Sequence, residues 1–191
     1  MKEVYLKEIL EINVGVSISR VKEKVYEGGI KAKFISPKSI SNNFIKDEEI
    51  EEIKVRSATY QAIKKTKLGD ILIKTTSPFD MVLIDKKHTG LIYNSFCINL
   101  NLKNIDFDSK YVFAYLNTEY IQKKLENKAK SYKTTPISKK DIEEIKIPYL
   151  NKEKQLLIGE MYLSISEREK MYKELLEKEK QIIETIIFKG E

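Results

Sequence analysis

Three short segments of the chain combine basic side chains with hydroxyl, amide or aromatic groups. They are the polar run KAKSYKTTP at 128–136, the run KTTS at 74–77, and a stretch between residues 31 and 43. Lysines suit phosphate oxygens, and hydroxyl and amide groups can hydrogen-bond to base edges. The candidate contact residues are Lys128, Lys130, Ser131, Tyr132, Lys133, Thr134, Thr135, Lys74, Thr75, Thr76, Ser77, Lys31, Lys33, Lys38, Asn42 and Asn43. Ordinary solvated loops have the same composition, so the residue types alone leave both interpretations open.

The charge of the chain is concentrated in its first 150 residues. The net charge is +6, while residues 151–191 carry 8 basic and 9 acidic residues, which leaves +7 on residues 1–150. A basic excess of this kind can attract a polyanion such as nucleic acid. A generally lysine-rich surface would give the same net charge. The charge therefore agrees with a polyanionic partner but does not require one.

Few residues could perform catalysis. His88 is the single histidine and has no second histidine with which to anchor zinc. The single cysteine, Cys97, lies in an apolar run and is predicted to be a core residue, which is compatible with a reducing cytoplasm. The glycines form neither a phosphate-binding loop nor a dinucleotide fingerprint. The sequence therefore predicts no catalytic residue, no metal site and no cofactor.

A weak nuclease-like pattern is the alternative. Pro78–Asp80 followed by Asp85–Lys87 imitates the acidic residues and lysine of a metal-dependent nuclease core. The spacing is too short for the two strands that such a core requires. The same acidic-to-lysine spacing also occurs at Glu52 and Lys54, as chance predicts in a chain that is 34% charged.

Hydrophobic patterns predict short strands in the first 100 residues. Alternating apolar and basic residues predict a half-buried strand over Ile30–Ile35, which Pro37 ends. A turn at Gly69-Asp70 precedes a strand over residues 71–73. Two further strands are predicted over 81–84 and 96–100.

Helices are predicted in the second half. A helix capped by Asp108 or Ser109 would extend through Ile121 and Leu125, and a polar loop would follow at 128–136. Ser138 begins a capping box for a short helix, and Asn151 is the predicted N-cap of the last helix.

The last segment has a seven-residue apolar period over 151–188, without proline, which is typical of a helix packed along one stripe against another helix. Such a helix is roughly 55 Å long at about 1.5 Å per residue. The remaining chain is too short to cover its apolar stripe, so the helix is expected to pack against a partner. The predicted interface residues are Ile158, Met161, Ile165, Tyr172, Leu175, Ile182 and Ile186, with Arg168 and Glu179 at the two polar positions of the period. These nine residues are called the seam below.

These elements predict the α+β class: a mixed globular domain over 1–150, followed by a long C-terminal coiled-coil helix over 151–191. The chain has neither a run of 18 apolar residues nor a signal peptide pattern. We therefore expect a cytoplasmic protein that does not enter a membrane.

The order of the motifs resembles one half of the DNA-specificity (S) subunit of a type I restriction-modification system. The matching pieces are YLKEILEINVG, GDILIKTTSPF, NSFCINLNL, YVFAYLNTEYIQKKL and KSYKTTPISKKDIEEIKIPYLNKEKQLLIGEMYLSI. The chain departs from the family pattern at Lys154, where an acidic residue commonly precedes the glutamine Gln155, and at Ser131-Tyr132, where the loop usually carries a glycine. The resemblance spans nearly the whole chain.

The resemblance implies a half subunit with one target-recognition domain, which binds double-stranded DNA as a homodimer. The two long helices would pack antiparallel and separate two inverted half-sites. A methyltransferase subunit would bring S-adenosylmethionine and flip the target adenine, and a restriction (motor-nuclease) subunit could join. This chain itself would be non-catalytic.

Two other interpretations stay open at this point. The chain could be a coiled-coil adaptor, or a decoy of the methyltransferase, that binds proteins and not DNA. It could also be a recombination cassette that contributes its sequence to a longer subunit. Neither the DNA target nor the presence of a nuclease partner follows from the residues.

Overall fold

A computed structural model describes residues 2–21, 29–131 and 136–189. The strands are β1 (Glu3–Tyr5), β2 (Leu10–Val14), β3 (Ile30–Ile35), β4 (Ile40–Ser41), β5 (Phe44–Ile45), β6 (Glu51–Val55), β7 (Ile71–Lys74), β8 (Met81–Leu83), β9 (Ile92–Tyr93), β10 (Cys97–Leu102) and β11 (Lys146–Pro148). The helices are α1 (Leu6–Ile9), α2 (Ile18–Val21), α3 (Ser57–Ala62), α4 (Ser109–Leu116), α5 (Glu119–Ser131), α6 (Lys139–Glu143) and α7 (Lys152–Lys189), with 3₁₀ turns at Pro37–Ser39 and Asp47–Glu49. The predicted α+β class is confirmed.

Two larger sheets and two two-stranded sheets, β1-β11 and β4-β5, are formed by the described residues. The first is antiparallel with strand order β2-β10-β7-β8, and helices α1, α4, α5 and α6 cover one of its faces. The second has strand order β6-β3-β9, in which β3 and β9 are parallel. Side chains alternate across β7, so Ile71 and Ile73 join the core under the helices while Leu72 packs with Ile35 and Tyr93 between the sheets. The alternation thus supplies apolar residues to both faces of the first sheet.

The local capping predictions are confirmed. The Asp108 carboxylate accepts a hydrogen bond from the Lys110 amide at 2.9 Å and begins α4. The amide of Asp141 donates to the Ser138 hydroxyl, and the Ser138 amide donates to the Asp141 carboxylate at 2.8 Å. The Asn151 side chain accepts from the amide of Lys154 at 3.0 Å. Each side chain satisfies an amide that a helix start leaves without an intrahelical partner.

Two helix boundaries differ from the prediction. The single helix predicted after Asp108 is interrupted at Asn117 and Thr118, whose side chains donate to the carbonyl oxygens of Phe113 and Tyr115 at 2.9 and 2.7 Å. These side-chain bonds compete with helix continuation, so α4 ends and α5 starts in a new direction. The predicted loop at 128–136 was wrong at its start, because Lys128–Ser131 forms the last turn of α5.

The first half of α7 is anchored on α4. The fully buried Gln155 side chain donates to the carbonyl oxygens of Asp106 and Leu150 at 2.9 and 2.8 Å, and it accepts from the amide of Asp108 at 2.9 Å. Two turns later the ring of Tyr162 meets the ring of Phe113 edge to face, with 5.6 Å between centroids. From residue 171 to residue 188 every side chain of α7 is exposed. The helix therefore projects from the domain as an arm.

We expect Gly159→Ala to lower the free energy of unfolding by up to about 2 kcal/mol. A Cβ at Gly159 would lie 2.6 Å from the Lys110 Cβ and 3.0 Å from the Tyr111 nitrogen, so α7 would have to move away from α4. Overpacking of this kind costs about 1–3 kcal/mol, which outweighs the gain of about 1 kcal/mol from replacing a helical glycine. Urea denaturation measures the change, with Ser164→Ala as the control on the exposed surface. Stability equal to or above that of the control would contradict the close contact.

None of the helices in the described ranges combines the length and apolarity that a membrane span needs.

Candidate nucleic-acid interface

Two of the three predicted segments line one cavity. The β7–β8 loop supplies Thr76 and Ser77, and the end of α5 supplies Lys130 and Ala129, around a cavity of about 500 Å³. Phe79, which is buried, and Pro136 complete its wall. Hydroxyl groups, an exposed lysine and the acidic side chain of Glu126 thus surround an opening with an apolar wall.

Several predicted contact residues are already engaged inside the protein. The Lys74 ammonium lies 3.0 Å from the Asp80 carboxylate and is only 12% exposed. The Thr75 hydroxyl donates to the carbonyl oxygen of Phe96 at 3.1 Å. These two side chains hold the β7–β8 loop in place, so Thr76 and Ser77 are the members of this segment that can reach a ligand.

In the last turn of α5, too, some side chains are engaged within the protein and others are available to a ligand. The Lys128 ammonium lies 3.7 Å from the carboxylates of both Asp141 and Glu144, which ties α5 to α6. Lys130 is exposed and has no ion-pair partner among the described residues. The Ser131 hydroxyl donates to the carbonyl oxygen of Lys128 at 2.6 Å. Lys130 is therefore the cation of this turn that is available to a phosphate. The predicted contacts at Tyr132, Lys133, Thr134 and Thr135 lie outside the described residues.

The third predicted segment occupies two separate places. Lys31 and Lys33 project from the exposed face of β3, and Lys38 is exposed on the 3₁₀ turn that follows. Across the antiparallel pair with β6, Lys31 faces Lys54 and Lys33 faces Glu52. The pairing adds Lys54, which sequence reasoning missed. Its signal was the alternation of apolar Ile53 and Val55 with charged neighbours, which is typical of a half-buried strand.

Asn42 and Asn43 form the turn of the β4–β5 hairpin, and both adopt positive φ angles of 50° and 68°. Two successive residues of this conformation are typical of a tight hairpin, in which asparagine is favoured. The hairpin lies against α7: the Asn42 side chain accepts from the Lys173 ammonium at 2.9 Å, and the Asn43 amide donates to the Tyr162 hydroxyl at 3.2 Å. Their side chains thus brace the arm at the edge of the domain.

The residues considered for catalysis have other partners. Both ring nitrogens of His88 contact carboxylates, Nδ1 at 2.7 Å from Asp85 and Nε2 at 3.0 Å from Asp47. Hydrogen bonds from the side chains of Lys87 and His88 lower the pKa of Asp47. Burial raises the pKa of Cys97 to about 12, which keeps its thiol protonated and confirms its place in the core. Asp85 and Asp80 of the nuclease-like pattern are both engaged, with His88 and Lys74.

The apolar seam residues are exposed in the single chain. Ile158 and Ile165 are 38% and 42% exposed, whereas Tyr172, Leu175, Ile182 and Ile186 are all more than half exposed. The buried contacts of α7 with α4, through Gln155 and Gly159, use a different face of the helix. The seam is thus left available for a partner.

Comparison with known proteins identifies the family. The family model described as "Type I restriction modification DNA specificity domain" matches residues 1–184. Comparison with curated protein sequences gives no match.

Three solved structures share the fold. One belongs to a study of complex assembly and conformational transition of the type I R-M system, with 16% identity, a TM-score of 0.65, and coverage of 97% of this chain and 43% of that chain. The HsdS subunit from Thermoanaerobacter tengcongensis has 19% identity, a TM-score of 0.63, and coverage of 91% and 39%. The type I S subunit from M. genitalium has 17% identity, a TM-score of 0.61, and coverage of 97% and 44%.

At these identities the structural likeness concerns the fold, and the chain spans less than half the length of the solved chains that it matches. The family model covers nearly the whole sequence. The chain belongs to the type I restriction-modification DNA-specificity domain family.

Proposed function

We propose that this chain is a non-catalytic DNA sequence-specificity subunit that binds a bipartite site as a homodimer. The family match over residues 1–184 supports the specificity role. The observation that carries the homodimer is the exposed seam of α7, because a helix of 38 residues with an uncovered apolar stripe needs a partner.

In this proposal residues 1–150 recognise DNA and residues 151–191 form the spacer. Lys130 and the lysines on the β3–β6 face, Lys31, Lys33 and Lys54, would neutralise phosphates and give a salt-dependent affinity. The hydroxyls of Thr76 and Ser77 would reach base edges from the cavity beside Lys130. A two-fold axis between the copies then imposes two identical, inverted half-sites at a fixed separation.

The catalytic partner would be a methyltransferase subunit, which brings S-adenosylmethionine and flips the target adenine. The dimer would recruit this subunit to its site, and a restriction subunit could join the same assembly. This chain would select the DNA sequence and position the methyltransferase subunit on it. It would supply no group that touches the reacting atoms.

The phosphate contact is tested by Lys130→Ala combined with Lys133→Ala. We expect the slope of log affinity against log salt to flatten by up to about two units, because each lost phosphate contact removes about one unit. Fluorescence anisotropy with duplex DNA over a salt series measures the slope. The matched control is Lys123→Ala with Lys124→Ala, which removes the same charge from an earlier turn of α5. Equal slopes for the two variants would place the phosphate contacts elsewhere.

Three experiments separate the remaining interpretations. An adaptor or decoy would bind the methyltransferase but show no salt-sensitive affinity for duplex DNA. A recombination cassette predicts that the 191-residue product does not occur bound to a methyltransferase subunit in cells. A nuclease would show Mg²⁺-dependent cleavage by the purified chain, abolished by Asp85→Ala.

A further inference from the structure

The two halves of α7 differ in the width of their apolar surface. Between residues 171 and 187 the exposed apolar residues form what we call the C-terminal stripe: Met171, Tyr172, Leu175, Leu176, Ile182, Ile183, Ile186 and Ile187. A seam against one helix requires only about two apolar residues in seven. The C-terminal stripe is therefore wider than a two-helix contact needs, and its side chains are exposed in the single chain.

The first half of α7 offers a complementary surface. Tyr111, Ala114 and Tyr115 of α4 and Ile158, Met161 and Ile165 of α7 line an almost wholly apolar groove of about 450 Å³, which we call the α4–α7 groove. A helix laid along it would contact α4 and α7 together. A wide stripe fits such a groove, because its two edges can pack against two helices at once.

The polar seam residues select how two copies pair. In a parallel homodimer each residue faces its own copy, so Arg168 would face Arg168 and Glu179 would face Glu179. In one antiparallel register Arg168 of each copy faces Glu179 of the other, which places opposite charges together twice. The same register pairs Met161 with Ile186, Ile165 with Ile182, and Tyr172 with Leu175. These three pairs are apolar, while the ninth seam residue, Ile158, is opposite Lys189 of the other copy.

The same register directs the stripe into the groove. The α4-facing side of α7 carries Gly159 and Tyr162, and at about 100° per residue Ile183 and Ile187 lie on the stripe edge nearest to that side. A two-fold axis perpendicular to the helix pair keeps corresponding edges on the same side. Ile183 and Ile187 of the second copy therefore point toward α4 of the first, beside Met161.

We propose that the α4–α7 groove receives the C-terminal stripe of a second copy, in the antiparallel register in which Arg168 faces Glu179. This inference rests on the proposed homodimer and specifies its contacts. The dimer then contains two equivalent three-helix packings, each made of α4, the first half of α7 and the second half of the other α7. The recognition domains themselves, through α4, take part in the dimer contact and fix the direction of the arms.

A charge exchange tests the register. Arg168→Glu and Glu179→Arg should each raise the dimer dissociation constant about tenfold or more, since each replaces two attractions with two repulsions. The variant with both substitutions should return to within about threefold of the original, because the opposite charges again face each other. Both residues are exposed in the single chain, so folding should be unaffected. Sedimentation measures the constants. A double variant as weak as the sum of the single ones would overturn the register.

The groove is tested separately with Ile183→Asp and Ile187→Asp, which lie outside the seam. Each should weaken the dimer about tenfold or more, because the introduced carboxylate would be buried against Tyr111 and Ala114 without a cation. Phe188→Asp, on the opposite side of the helix from the seam, is the control and should have little effect. If Ile183→Asp and Ile187→Asp weaken the dimer no more than the control does, the second copy does not bind in the α4–α7 groove.

These results remain distinguishable from failure of the proposed function. A stable dimer that passes the DNA test but ignores both sets of substitutions contradicts only the contacts inferred here. A chain that stays monomeric at all concentrations contradicts the proposed homodimer and, with it, the contact in the α4–α7 groove.

Discussion

Leu175→Asp is expected to convert the proposed dimer to a monomer of 22.3 kDa. Leu175 is 52% exposed in the single chain and lies near the middle of the seam. In a dimer both copies would bury an unpaired carboxylate there, and each such burial costs several kcal/mol. The dissociation constant should rise about a thousandfold or more. Sedimentation equilibrium at micromolar concentration measures the mass.

The control for this substitution is Gln181→Asp. Gln181 is exposed on the opposite side of α7, so an aspartate there changes the charge of the same helix without touching the seam. The control should remain a dimer with an unchanged constant. A dimer that persists in Leu175→Asp would show that the copies associate through another surface and would remove the spacer role of the arm.

Removing one half-site from the preferred DNA sequence should weaken binding of the dimer by about a hundredfold to ten-thousandfold. Two linked domains bind two half-sites with a high effective concentration, which is lost when one half-site is scrambled. Titrations of duplexes that carry one or both half-sites measure the ratio. Scrambling the bases between the half-sites at constant length is the control and should leave affinity nearly unchanged.

The monomeric Leu175→Asp variant should bind both duplexes with similar affinity, since it has only one recognition domain. A change of about five base pairs in the gap should also weaken DNA binding by the dimer, because it rotates one half-site to the other side of the duplex. Equal affinity of the dimer for one and two half-sites would contradict a bipartite site.

Local signals in the sequence were sufficient for much of the fold. The alternation over Ile30–Ile35 gives β3, and the caps at Ser138 and Asn151 lie at the starts of α6 and α7. Each of these signals depends on residues within a few positions of one another. The heptad period likewise predicted α7, because a helix presents residues three and four apart on one side.

The candidate site could be predicted only in part, because its geometry depends on distant contacts. The segments at Thr76 and Lys130 were recognised separately, but their common cavity follows from the packing of α5 beside the β7–β8 loop. Lys74 and Lys128 looked available by type, yet Asp80 and Asp141 bind them in the folded protein. Asn43 meets Tyr162 across 119 residues of sequence, which no local pattern records.

The most direct test of the account is selection of binding sequences from a pool of random DNA duplexes by the native chain. The account predicts enrichment of sequences that share two identical inverted half-sites with a fixed gap. Recovery of sequences without a shared motif would contradict a specificity subunit. Enrichment of a single uninterrupted site would agree with sequence-specific DNA recognition. It would contradict the homodimer that places two domains on one duplex.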